Sequence, residues 1–211
     1  MASAVAEGDD GEAQLLPEEA AQISRAVESR RLEFATGRAC ARRALQALGF
    51  EAATILRGGH REPLWPPGVV GSITHCAGYR AAAAAMKSTL LALGIDAELH
   101  ERLPTGVLQR VSLPEERDWL SRAPAGLCWD RILFSAKESI YKAWFPLTQR
   151  SLGFGDASIS FEPVANTFRA RIRATMSAEP AGELSTLSGR FLVRRGLVLT
   201  AVALPRTSPA P

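Results

Sequence analysis

Two carboxylates, Asp96 and Glu98, end the apolar run LLALGI and stand at strand spacing. On a strand, residues i and i+2 share a face, so both would point at one place. Like charges held that close are unfavourable unless water, a cation or a basic side chain offsets them. A third carboxylate, Glu138, precedes Lys142 by four residues in FSAKESIYKAW, which puts both on one helix face. His75 ends the stretch GSITH, and Arg30, Arg31 and Arg38 fall in a segment with helical periodicity. An arginine on an otherwise apolar helix stripe needs an anion, supplied by an internal carboxylate or by a ligand phosphate. Each feature alone has a plain alternative. D-x-E is also a solvated strand end, Glu-x-x-x-Lys a surface ion pair, and a lone histidine at a strand end simply hydrogen-bonded.

The elements that would carry these residues can be read along the chain. Pro17 followed by Glu18 and Glu19 starts a helix, with acidic residues at the positive end of its dipole. A second helix is expected over residues 30–48, stopping at Gly49, with Phe34, Ala41, Leu45 and Leu48 on its buried face. RGGHREPLWPPG, residues 57–68, is rich in Gly, Pro and basic side chains and reads as a loop. VVGSITH, YRAAAAAM and LLALGID suit a small three-stranded antiparallel sheet, although the alanine run has helical propensity. Ser112-Leu-Pro-Glu115 has the pattern of a capping box and opens a short helix through Trp119.

A longer helix is expected from about Trp129 to Phe145, where Pro146 would stop it. Its buried stripe is Trp129, Ile132, Leu133, Ala136, Ile140, Ala143 and Trp144. ASISFEP, NTFRARI, GRFLVR and LVLTAVAL then read as strands. Helices then strands, twice, predicts an α+β chain of two similar halves, each with helices on a small, mostly antiparallel sheet. The expected divisions are a mobile acidic tail over 1–13, an N-terminal half over 14–98, a C-terminal half over 99–205 and a frayed end over 206–211. No letter-level repeat supports the duplication.

With 211 residues the chain can bury a sizeable core, and 46% hydrophobic with 22% charged residues is ordinary for a soluble globular protein. A net charge of +3 only mildly favours acidic partners. Three cysteines, Cys40, Cys76 and Cys128, show no zinc spacing and suit a reducing cytosol. No basic leader followed by an apolar core opens the chain, and no apolar run reaches about 18 residues. The expectation is a cytoplasmic protein.

Taken together, GSITHC, GIDAE and FSAKESIYKAW stand in the order and at the spacing of three signature motifs, so the chain resembles the Sfp-type 4'-phosphopantetheinyl transferases. The arginine-bearing helix, WPPG and KAWFPL are most similar to the bacterial branch typified by enterobactin synthase component D and its actinobacterial relatives. The resemblance covers about Arg30 to Leu204. It implies a pseudo-dimeric fold and transfer of the phosphopantetheine arm of coenzyme A onto a carrier-protein serine, with Mg²⁺ and release of 3',5'-ADP. The carriers would be acidic acyl, peptidyl or aryl carrier proteins or domains of fatty-acid, polyketide, nonribosomal-peptide or siderophore systems. No nucleic acid or membrane is implied, and a duplicated single chain suits a monomer.

The resemblance also implies roles. Asp96, Glu98 and Glu138 would hold Mg²⁺, and Glu138 would accept the serine proton, directly or through water. Lys142 would neutralise the transferring phosphate or the leaving group. His75 and the Thr74 hydroxyl would contact the phosphates of coenzyme A. Arg30 and Arg38 would hold its 3'-phosphate, with Arg57, His60 and Arg61 lining the nucleotide. Helical geometry favours Arg31 on Arg38's track, whereas the motif favours Arg30.

Four other readings use the same residues. DAELHE, with His100, has the elements of a mixed transition-metal site, against His100 on a solvated loop. Cys76 beside His75 suggests a Cys-His pair, but strand neighbours face opposite ways. A hydrolase of coenzyme A or a nucleotide would use the same carboxylates on water, and a nucleic-acid module would use the basic helix. The near balance of acidic and basic residues and the lack of an aromatic RNA motif count against the last.

Overall fold

The alanine run sets the first half of the architecture. In the computed structural model, which describes residues 1–51, 53–173 and 182–206, it forms a strand, β3 (Tyr79–Met86). β3 lies between β1 (Ala2–Glu7) and β2 (Val69–Cys76), antiparallel to both, in a sheet of order β1-β3-β2. Ala82 and Ala84 pack on Ala41, Ala44 and Leu45 of helix α2 (Glu28–Gln46), while Ala83 and Ala85 pack on Leu90 and Leu93. Both faces are thus covered, and methyl-sized side chains let the two layers approach. Tertiary burial overrides the helical propensity of alanine here.

The third strand of that sheet is β1, where a mobile tail was expected over residues 1–13. It alternates half-buried and exposed residues against β3, from Ala2 opposite Ala84 to Glu7 opposite Tyr79. The acidic stretch after it is tied down as well. Asp9 pairs with Arg80 at 2.7 Å, Asp10 with Arg43 at 3.0 Å, and the Asp10 N–H donates to Thr36 Oγ1. Acidity disguised a docked strap, because its partners are arginines far along the chain. Deleting residues 1–13 is therefore expected to cost about 2–4 kcal/mol in urea unfolding, since Arg80, 7% exposed, would lose its carboxylate.

β4 (Leu90–Leu99) does not extend the first sheet. It pairs with β8 (Leu197–Pro205) at one edge of a five-stranded antiparallel sheet. Its order is β4-β8-β7-β6-β5, with β5 Ala157–Glu162, β6 Thr167–Ile172 and β7 Thr186–Arg194. Against it lies helix α5 (Trp129–Thr148). All seven residues expected on its stripe are buried, packed with Phe168, Phe191, Val198 and Val202. α5 runs past Pro146, which sits in the last turn and removes one backbone donor there. The tail expected at 206–211 lies outside the described residues except for Arg206, whose N–H donates to the Thr89 carbonyl.

Each half also carries a short helix with a repeated signature, so a letter-level repeat does exist. Helix α1 (Pro17–Gln22) follows Leu16, and helix α4 (Pro114–Leu120) follows Leu113 and the short helix α3 (Val107–Val111), giving Leu-Pro-Glu-Glu twice. In each, the second glutamate does the capping, so Glu116 rather than Glu115 closes the α4 start. Glu19 accepts the N–H of Leu16 and of Ile55 and binds Arg42 of α2. Glu116 accepts the N–H of Leu113 and of Ile159 and binds Lys137 of α5 at 2.7 Å. Both carboxylates are almost fully buried and fasten a short helix to the long helix of the same half. Among the described residues no helix is long and apolar enough to cross a membrane.

Candidate active site

The two halves meet where β2 runs beside β4 without a backbone ladder. Two hydroxyls stand in for it: Ser72 Oγ accepts the Ile95 N–H, and Thr74 Oγ1 accepts the Ala97 N–H. On the other side, β4 lies directly against α5. A Cβ on Gly94 would fall 2.0 Å from the Ser139 carbonyl oxygen, so only glycine permits this approach. The glycine of GIDAE thereby sets Asp96 and Glu98 beside Glu138 and Lys142.

Asp96, 6% exposed, is the hub of the seam. Its Oδ1 accepts Lys142 Nζ at 2.7 Å and the Thr74 hydroxyl at 3.2 Å, and its Oδ2 accepts Ser135 Oγ at 2.8 Å. Lys142 also donates to the Ile95 carbonyl. Glu98 is held by Arg131 at 3.0 Å. Burial, then the charge of Asp96, pushes the Glu98 carboxyl above its ordinary range. Glu138 has no hydrogen bond or ion pair among the described residues, and burial raises it too, against the pull of Lys142. A free, raised carboxylate beside a cleft is a ready proton acceptor.

A cleft of about 830 Å³ opens over these groups. Arg30, His60, Arg61, His75, Asp96, Glu98, Glu138 and Lys142 all line it. Leu64, Trp65, Phe134, Tyr141 and Phe145 add an apolar wall. Arg30 bonds Glu33 and lies 3.2 Å from His75 Nε2, whereas Arg31 is exposed and away from the cleft. Of the two, Arg30 is thus the one at the cleft. His60 lies tilted over Phe145 with ring centroids 4.7 Å apart.

Three expected ligand contacts are placed elsewhere. Thr74 is 3% exposed and spends its hydroxyl on the seam rather than on the cleft. Arg38 is 5% exposed, donates Nε to the Ile55 carbonyl and lies 4.1 Å over the Phe34 ring. Burial lowers its pKa to about 10. Arg57 flanks the same ring at 5.7 Å, and its backbone is pinned by Gln22 of α1. These arginines shape the base of the 57–63 loop. Arg38→Ala is expected to cost about 1.5–3 kcal/mol of stability by denaturant unfolding, as a charged hydrogen bond to a buried carbonyl is lost.

Asp96, Glu98 and Glu138 line one cleft, but they do not close into a three-ligand cage: among the described residues no group of three His, Cys, Asp or Glu does. His100 is not on a solvated loop, since its Nε2 accepts the Cys128 N–H at the start of α5. Burial first, then Glu98 and Asp96, raise the Cys76 thiol to about 11, which disfavours the thiolate at neutral pH. Sequence reasoning passed over Lys137, which turns from the cleft to Glu116 and the Phe154 carbonyl. It also passed over Arg131 and Ser135, whose one signal was their place on the α5 face toward β4.

Two helix-on-sheet halves with an acidic and basic cleft at the seam define a class that the comparisons identify. The model of the 4'-phosphopantetheinyl transferase N-terminal domain matches residues 18–85, and that of the 4'-phosphopantetheinyl transferase superfamily matches residues 92–192. The chain belongs to this superfamily and is a phosphopantetheinyl transferase. It is 53% identical over 197 residues to the 4'-phosphopantetheinyl transferase PptT of Mycobacterium tuberculosis, covering 90% of this chain and 86% of the relative. It is 48% identical over 199 residues to Svp of Streptomyces mobaraensis, covering 93% and 81%. Enterobactin synthase component D of Escherichia coli K12 is 35% identical over 144 residues, 66% of each chain.

Proposed function

We propose that this enzyme moves the phosphopantetheine arm of coenzyme A onto a serine of an acidic carrier protein or carrier domain, leaving 3',5'-ADP. The observation that carries the reading is the arrangement of Glu138 and Lys142 on α5, with Asp96 across the seam and Arg30 and His75 in the same cleft. Arg30 and His75 bind phosphate, and His60 and Arg61 approach the nucleotide from the 57–63 loop. Lys142 neutralises negative charge that builds on the transferring phosphoryl group or its leaving group. Glu138 takes the proton of the attacking serine, a role that suits a buried carboxyl held above its usual range. The serine oxygen–phosphorus bond forms as the pyrophosphate bond breaks.

The donor set fits Mg²⁺. Asp96, Glu98 and Glu138 offer oxygen only, and an incomplete protein cage suits a cation that keeps waters and substrate phosphates. When bound, the ion would supply charge neutralisation on the pyrophosphate. The protein would work as a monomer in the cytoplasm. β4 would serve as the join between the halves, touching β2 through side chains while it pairs with β8.

Incubation with coenzyme A, Mg²⁺ and an apo carrier protein tests the reading by intact mass. The carrier should gain one phosphopantetheine on a serine. Conversion of coenzyme A with no change in carrier mass would make the enzyme a hydrolase and overturn the proposal.

A further inference from the structure

Glu33 faces the cleft lining from α2 and belongs to none of the motifs singled out above. Its side chain is 19% exposed, and its two oxygens go to two different basic side chains. Oε1 lies 2.5 Å from His75 Nδ1, and Oε2 pairs with Arg30. A carboxylate only accepts, so Nδ1 carries the proton and Nε2 is left toward Arg30 at 3.2 Å. Arg30 stands one helical turn before Glu33, whereas His75 comes from β2. One carboxylate thus joins a helix residue and a strand residue at the phosphate end of the cleft.

We propose that Glu33 is a positioning residue that fixes the His75 ring and the Arg30 guanidinium as one anion-binding pair. This rests on the coenzyme A reading of the cleft. Without Glu33 the imidazole would be free to rotate, and the Arg30 guanidinium would lose its counter-charge. The charged groups facing His75 are Glu33 and Arg30 from α2, Lys142 from α5 and Arg80 from β3. Glu33 is the one that favours the protonated ring, while burial and the three cations oppose it. The net effect still holds the ring below its ordinary range, so Glu33 limits that drop and fixes the ring with its Nδ1–H toward the carboxylate.

The test is Glu33→Gln, with Glu33→Asp as a variant that keeps the charge. In the ligand-free protein, the NMR titration midpoint of His75 should fall by about one pH unit or more in Glu33→Gln and by less in Glu33→Asp. The KM for coenzyme A should rise about tenfold at pH 7.5, with kcat changed far less, and recover as pH is lowered. In an Arg30→Ala, His75→Ala background, Glu33→Gln should add no further loss. An unmoved His75 midpoint, or an equal further loss in that background, would make Glu33 a general structural residue and overturn the proposal. The titration is read without coenzyme A and judges Glu33 alone. A wild-type protein that ignores coenzyme A would instead remove the reading of the cleft, and the purpose assigned to Glu33 with it.

Discussion

Glu138→Gln should lower phosphopantetheine transfer by about 10²–10⁴-fold, and no concentration of Mg²⁺ should restore it. The amide keeps the shape of the side chain but cannot take a proton. Because Glu138 has no hydrogen bond or ion pair among the described residues, its loss should leave the melting temperature almost unchanged. Asp96→Asn makes the informative contrast. It removes a charge from the carboxylates proposed to hold Mg²⁺, so Mg²⁺ demand should rise and excess Mg²⁺ should recover part of the rate. Unlike Glu138, Asp96 also accepts Lys142, Thr74 and Ser135. Asp96→Asn should therefore cost about 1.5–3 kcal/mol of stability, which metal-free thermal unfolding would detect. Wild-type turnover of Glu138→Gln at low Mg²⁺ would remove it as the proton acceptor.

The largest loss of stability is expected at Glu116. Both it and Lys137 are nearly inaccessible, with side chains 2% and 3% exposed. Glu116→Gln would leave the ammonium buried without a counter-charge, costing about 3–5 kcal/mol in equilibrium unfolding. Lys137→Met combined with Glu116→Gln should cost clearly less than the two single changes summed, since no charge is then stranded. The same lysine holds the Phe154 carbonyl, and the Phe154 ring stacks on Phe134 of the cleft wall at 5.8 Å. Activity of the folded single variants should accordingly fall with stability. Strict additivity in the double-mutant cycle would show that the pair is not coupled.

The elements that bear chemistry were legible because their patterns are local. The α5 stripe has a strict helical period, and the last four strands alternate between turn residues. What stayed hidden depends on partners far away. The small residues of β1 give a weak apolar signal, and the alanines that bury them lie about eighty residues on. β4 looked like a neighbour of β3 because chain proximity favours hairpins, yet its ladder is completed by β8. Within the site, residue type alone could not tell a cleft arginine from an internal one. Arg30 and Arg38 are two turns apart on α2, and only the packing of Ile55 and Phe34 around Arg38 separates them. The Leu-Pro-Glu-Glu repeat was readable in the letters. Four residues are too few to mark a repeat until both second glutamates are seen capping alike.

The pairing of β4 with β8 bears on how the chain is made. Leu99 meets Leu197, so roughly a hundred residues must emerge from the ribosome before this ladder can close. During that interval the apolar edge LLALGI has its N-terminal contacts but no strand beside it. Synthesis at about 5–20 residues per second would leave it open for several seconds, long enough for edge-to-edge association in a crowded cell. Truncation within β7–β8 should thus yield aggregates rather than a soluble half. The carboxylates Asp96 and Glu98, at the end of that waiting strand, would also serve during this time as charges that discourage self-pairing.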